Sequence, residues 1–135
     1  MNSNLRVLII DDFEMVRMML KNSLSEMGLK NYEESENGVE AWKKLEESRL
    51  AGNPFNFVFC DWNMPEMNGL EFLIKCRSSE YYKTMPIIMV TAESEQTQIV
   101  EALKKGATDY IIKPISPEML EKKVKKVVAR YIKVS

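Results

Sequence analysis

Along this chain, apolar runs of strand length alternate with helical periodicity five times. Residues 5–10, LRVLII, form a nearly unbroken apolar run, as expected of a strand buried on both faces. Phe13, Val16, Leu20, Leu24 and Met27 then recur at three- and four-residue steps, which predicts a helix with Gly28 as its stop. A weak strand over 32–35 precedes Asn37-Gly-Val-Glu40, whose spacing resembles a capping box for a helix carrying Val39, Trp42 and Leu45. Residues 48–54 contain Gly52 and Pro54 and read as a loop. FNFVFC, 55–60, predicts the third strand, and Leu70, Leu73 and Ile74 mark a helix after Gly69. PIIMV, 86–90, predicts the fourth strand. A helix capped by Ser94 follows, with Ile99 and Leu103 inside and Gly106 beyond. DYII, 109–112, predicts the fifth strand. Ser116 then fits an N-cap with Pro117 at the first helical position, and Leu120, Val124, Val128 and Ile132 form a buried stripe.

Five β-α units in 135 residues predict one α/β domain: a doubly wound parallel sheet with helices on both faces, joined by right-handed crossovers. Composition agrees. Apolar residues make up 45% and charged residues 29%, as in an ordinary globule. Nineteen Lys+Arg against 20 Asp+Glu leave a net charge of −1, so no global field favours nucleic acid or an anionic membrane. No apolar run approaches a membrane span, and MNSNLR leads straight into the first strand without a signal peptide. Cys60 and Cys76 are too few for a disulfide framework, and Cys60 reads as an inert core thiol in a cytoplasmic protein. The chain has no histidine, which excludes imidazole-based zinc sites and Ser-His or Cys-His nucleophiles. Its five glycines never form a dinucleotide or P-loop motif.

In open parallel sheets, ligands bind outside the carboxyl ends of the strands. Here those ends carry Asp11-Asp12, Asp61, Thr91 and Lys113. Each has a bland reading as a cap, a turn hydroxyl or a surface lysine. Together they would converge on one crevice. Like charges about 4 Å apart repel by roughly 4 kcal/mol at an effective dielectric near 20, so three carboxylates and one lysine call for a further cation. Hard oxygen ligands with room for water and phosphate suit Mg²⁺. A carboxylate nucleophile, a metal, a lysine and a hydroxyl are what phosphoryl transfer requires. Asp61 stands alone on its strand as nucleophile, and Asp11 with Asp12 form a pair suited to the metal.

VLIIDDF, CDWNMPEMNGL, VTAE and DYIIKP resemble the response-regulator receiver domains of bacterial two-component signalling, and among these the chemotaxis (CheY-like) group. The resemblance covers essentially the whole chain. It implies a flavodoxin-like fold with strand order 2-1-3-4-5 and five helices, as a single receiver over 1–135 with no output domain. It implies Asp61 as phosphoacceptor, Lys113 paired with the phosphoryl group, and Thr91 hydrogen-bonded to it after transfer. Mg²⁺ would be bound by Asp12 directly, Asp11 mainly through water, Asp61, and the backbone carbonyl of Asn63. Tyr110 would be the rotating switch aromatic, and Lys113–Pro114 a cis peptide. The small Ala92 would leave room above the acceptor, and Asn63 with Glu93 would frame the path of the hydrolytic water. Ile99, Tyr110 and Lys122 are plausible partner contacts. The implied protein is a monomeric signalling receiver and not an enzyme in its own right. Its implied phosphodonor is a histidine kinase and its target the flagellar motor switch; whether a dedicated phosphatase is a further partner stays open.

Glu14 and Met15 stand where small hydroxyl residues are familiar in the chemotaxis pattern, and Ile115 where an aromatic often follows Lys-Pro. These departures leave the partner open, as does a phosphorelay role in another pathway. A haloacid-dehalogenase-type phosphatase also uses a strand-end Asp with Mg²⁺, Thr/Ser and Lys, but wants a second Asp where Asn63 stands. A non-phosphorylated docking module on the same fold would have no use for the reactive set. The basic last helix (Lys122, Lys123, Lys125, Lys126, Arg130, Lys133) reads as a solvated face or a dock for an acidic peptide, not a nucleic-acid reader. Trp62, beside Asp61, reads as a lid over the site edge, and Trp42 as packing.

Overall fold

The computed structural model describes residues 4–92 and 96–131. Its elements run β1 (Val7–Ile10), α1 (Glu14–Glu26), β2 (Tyr32–Ser35), α2 (Gly38–Leu50), β3 (Phe57–Asp61), α3 (Gly69–Arg77), β4 (Ile87–Ala92), α4 (Gln96–Lys104), β5 (Asp109–Lys113) and α5 (Pro117–Tyr131). The strands form one sheet in the order β2-β1-β3-β4-β5, every neighbouring pair parallel. Among the described residues, no helix is long and apolar enough to cross a membrane.

Side-chain alternation divides the interior into two cores, one on each face of the sheet. Val7, Ile9, Phe57, Phe59, Ile88, Val90 and Ile111 pack with Leu20 and Leu24 of α1 and Leu120, Val124, Val127 and Val128 of α5. Leu8, Ile10, Val58, Cys60, Ile87 and Met89 point the other way, against Ala41 and Leu45 of α2, Phe72, Leu73 and Cys76 of α3, and Ala102 of α4. Strands covered on both sides explain why the sequence shows unbroken apolar runs there instead of alternation.

The helix ends follow local chemistry, with several corrections to the sequence reading. The Asn37 side chain accepts from the Glu40 amide at 2.8 Å, but the Glu40 carboxylate lies 3.7 Å from Lys44. The reciprocal box forms instead at Asn68 and Glu71, which open α3. The Ser116 hydroxyl accepts from the Met119 amide at 3.4 Å, as the N-cap reading of α5 requires. The loop expected from residue 48 begins later, because α2 continues to Leu50. Phe13, Val39, Ile74 and Leu103 are 65%, 48%, 40% and 44% exposed. The true inward stripes run through Arg17, Leu20 and Leu24 in α1 and through Ala102 in α4, whose small side chain lets the helix approach the sheet. Gly28 closes α1 at φ +83, a backbone region most side chains avoid. The Ser94 cap and Ile132 lie outside the described residues.

Of the glycines, Gly69 is the most confined. A Cβ there would sit 2.1 Å from the Asp61 carbonyl oxygen and 2.8 Å from the Trp62 Cα. The Gly69 amide donates to the Trp62 carbonyl at 2.8 Å, so the start of α3 is clamped onto the end of β3. Gly69→Ala should therefore lower stability by about 1–3 kcal/mol through overpacking. A drop in the urea midpoint at unchanged m-value would show it, and an unchanged midpoint would contradict the close approach.

Candidate functional site

The carboxyl ends of β1, β3 and β5 meet in one acidic crevice. Asp11 follows β1 directly and continues its ladder, its amide donating to the Ser35 carbonyl at 3.1 Å. Asp61 ends β3 and Lys113 ends β5. By alternation these three residues share the parity of Ile9, Phe59 and Ile111, so all belong to the α1–α5 side of the sheet. Lys113 Nζ donates to Asp61 Oδ1 at 3.1 Å and lies 3.3 Å from Asp11 Oδ2. Oxygens of Asp11, Asp12 and Asp61 lie within 4.8 Å of one another, with Asp12 exposed and the other two buried.

The electrostatics are unbalanced. Three carboxylates and one ammonium leave a formal charge of −2 in a crevice where Asp11 is 1% and Asp61 4% exposed. Desolvation, followed by the neighbouring Asp11 charge, lifts the Asp61 pKa to about 6 against the pull of Lys113. Burial also raises that of Asp11, although the Phe13 amide and Lys113 oppose it. Burial lowers the Lys113 value, but Asp61 and Asp11 outweigh it and hold the ammonium charged.

These residues fit a hard divalent cation. Asp11 Oδ1 accepts the Phe13 amide at 2.9 Å, whereas the buried Asp11 Oδ2 makes no well-aligned hydrogen bond and has only the Lys113 ammonium, at 3.3 Å, which it shares with Asp61. One shared ammonium leaves the three carboxylates short of counter-charge, which a further cation would supply. Oxygen donors only, one of them solvent-facing, match an ion that keeps part of its water, as Mg²⁺ does.

Thr91 stands apart. It is 2% exposed, but its parity in β4 is that of Ile87 and Met89, on the opposite side of the sheet from Asp61. Its hydroxyl donates to Gln98 Oε1 of α4 at 3.3 Å. Register pairs Met89 with Tyr110 and Thr91 with Ile112, so Thr91 and Tyr110 are diagonal neighbours on one face of the β4–β5 pair. The half-buried Tyr110 ring lies 3.9 Å below the ammonium of Lys123, which also bonds Asp109. Ile99 is half-buried on α4 and Lys122 is exposed on α5. Lys123, not Lys122, meets the tyrosine, a contact readable only once α5 is laid along β5. Asn63 is exposed, and Glu93 lies outside the described residues. Lys113–Pro114 is cis.

Trp62 is a correction. It is not a lid: it is 8% exposed and belongs to the core formed with Val58 and Cys60. The reason is alternation carried one residue past the strand, since the Trp62 amide still pairs with the Val90 carbonyl at 3.3 Å. Trp42 packs as expected, its ring edge-on to Tyr82 at 5.4 Å. Cys60 is fully buried and desolvation pushes its thiol well above the usual range, so it is chemically quiet.

The family model for the response regulator receiver domain matches residues 7–125. The chain is 42% identical over 120 residues to chemotaxis protein CheY1 of Helicobacter pylori, covering 89% of this chain and 94% of that protein. It is 38% identical over 130 residues to chemotaxis protein CheY-3 of Vibrio cholerae, covering 96% of each. The solved structure of chemotaxis response regulator CheY4 of Vibrio cholerae superposes with a TM-score of 0.80 at 34% identity, over 91% of this chain and 98% of that one.

The Asp61 carboxyl yields a pH test. Its folded-state pKa lies above the ordinary 3.8, so Asp61 costs the fold nothing below that value and destabilises it as pH rises through about 6. In chelator, Asp61→Asn should exceed wild type in stability by about 2–3 kcal/mol at pH 7.5, the gap closing toward pH 4. Urea midpoints across that range measure it. A gap independent of pH would contradict the desolvated carboxylate.

Proposed function

The chain belongs to the response regulator receiver domain family, and from that premise we propose that it takes a phosphoryl group from a histidine kinase onto Asp61 with Mg²⁺. It then signals by phosphorylation-dependent binding of a protein target, the flagellar motor switch of a chemotaxis pathway. The observation that carries this reading is the single Lys113 ammonium shared between the buried Asp61 and Asp11 carboxylates, with the Asp12 carboxylate close by. The similarity to chemotaxis proteins of two organisms supports the choice of pathway. The donor's phosphohistidine lies outside these 135 residues, which contain no histidine.

Transfer forms a bond between an Asp61 carboxylate oxygen and phosphorus and breaks the phosphorus–nitrogen bond of the donor imidazole, whose nitrogen keeps the electron pair. Asp61 must be ionised to attack, and Lys113 favours that form. Lys113 then faces the transferred oxygens as a charge-assisted partner. Asp11 and Asp12, with the Asn63 carbonyl, would hold the ion. When bound, Mg²⁺ supplies neutralisation of charge on the phosphoryl oxygens.

The switch follows from competition for one hydroxyl. Thr91 now donates to Gln98, and a phosphoryl oxygen on Asp61 offers a stronger, charged acceptor. Moving a two-state equilibrium from 1:99 to 99:1 takes about 5.5 kcal/mol, which two or three charge-assisted bonds of about 1.5–3 kcal/mol each can provide. Tyr110 shares a face with Thr91 and lies beside Ile112, Met119 and Lys123, where a displaced ring would alter the outer surface of β5 and α5.

With acetyl phosphate and Mg²⁺, the protein should gain one acid-stable, base-labile phosphate by intact mass. Asp61→Asn and excess chelator should each abolish the gain, and a phosphate mapped to any other residue would overturn the assignment. Thr91→Ala should accept phosphate yet lose most of its phosphate-dependent affinity for the motor-switch protein. Undiminished coupling, read by titration with beryllofluoride present and absent, would exclude the hydroxyl as the link.

A further inference from the structure

Helix α1 turns an arginine inward. Arg17 lies three positions before Leu20 and seven before Leu24, on the stripe that packs against the sheet, and is 8% exposed. A guanidinium in such a place needs partners. Its Nη1 donates to the main-chain carbonyl of Asp11 at 2.7 Å, and its Nε donates to Glu34 Oε1 at 2.9 Å. Glu34 is itself fixed: Oε2 receives Lys21 Nζ at 2.8 Å, and its carbonyl receives the ammonium of Lys44. The carbonyl of Asp11 is thus tied to α1, β2 and α2 at once.

The placement matters because of what else Asp11 does. Its amide is committed to Ser35, its Oδ1 to the Phe13 amide and its carbonyl to Arg17. Only Oδ2 remains, and it faces Lys113 in the acidic crevice. The carbonyl that Arg17 holds belongs to the peptide joining Asp11 to Asp12, so a rotation of that peptide would swing both carboxylates. Arg17 meets the main-chain oxygen and not the carboxylate, so it sets orientation without occupying the acid. A planar fork can serve Asp11 and Glu34 together, which a single lysine ammonium cannot do in the same geometry.

We propose that Arg17, itself oriented by Glu34, is a positioning residue that holds the Asp11–Asp12 peptide so that both carboxylates present to a divalent cation. This rests on the metal-dependent reading of the site. Substitution should weaken Mg²⁺ binding while leaving the reacting groups intact.

Isothermal titration of Mg²⁺ into the chelator-washed full chain tests it, with wild type, Arg17→Lys, Arg17→Gln and Glu34→Gln compared. Both Arg17 variants should bind Mg²⁺ about 10-fold more weakly, and Glu34→Gln should fall between them and wild type. Acetyl-phosphate labelling at saturating Mg²⁺ should stay within about twofold of wild type, placing the defect in the metal requirement and not in the transfer step. In the metal-free proteins, the Asp12 and Phe13 amide resonances should already be displaced. Should Arg17→Gln fail to fold, Arg17→Lys and the half-exposed Glu34→Gln carry the same expectation. Wild-type Mg²⁺ affinity in Arg17→Lys, with only its melting temperature lowered, would make the arginine structural and overturn the proposal. Absence of Mg²⁺ binding by the wild-type chain would overturn the metal reading and this proposal with it.

Discussion

At the carboxyl end of the sheet one ammonium lies between two buried carboxylates, with a third close by, and cannot balance them all. Much of the molecule is arranged to keep that imbalance in place. Left to themselves, the acids would spread apart or protonate. Here β1 and β3 are adjacent parallel strands, which brings Asp11 and Asp61 side by side. The Phe13 amide and the Arg17 guanidinium hold Asp11 from two directions, and Gly69 clamps the backbone that carries Asp61. Surrounding structure over-determines a conformation that is electrostatically unfavourable, as is common where a site trades stability for reactivity.

The order of elements and the polar residues at the strand ends were legible in the sequence for a physical reason. A strand buried on both faces leaves an unbroken apolar run, and the first polar residue after each run marks where the chain emerges at the sheet's edge. Asp11, Asp61, Thr91 and Lys113 were found in that way. Strand order was not; it came from resemblance, because apolar runs do not say which strand lies beside which.

What escaped reading depended on three-dimensional partners. The sequence pattern does not single out Arg17, because the residue that makes its burial tolerable, Glu34, lies 17 positions away on β2. Trp62 was misjudged because strand pairing continues one residue beyond the carboxylate, and alternation then sends the indole into the core. Val39 and Leu103 fit a helical period but not the face their helices turn to the sheet. That Thr91 reaches α4 through Gln98 follows from its parity, which a strand-end position alone does not convey.

That parity has a wider consequence. Asp61 and Lys113 belong to one face of the sheet, Thr91 and Tyr110 to the other. On the proposed reading, the phosphate is written on one side of a partition a single strand thick and read on the reverse. Partner-facing residues on the β4–β5 side can then be exchanged without touching the bonds that hold the acids. A lineage could redirect the message while leaving the pen unchanged.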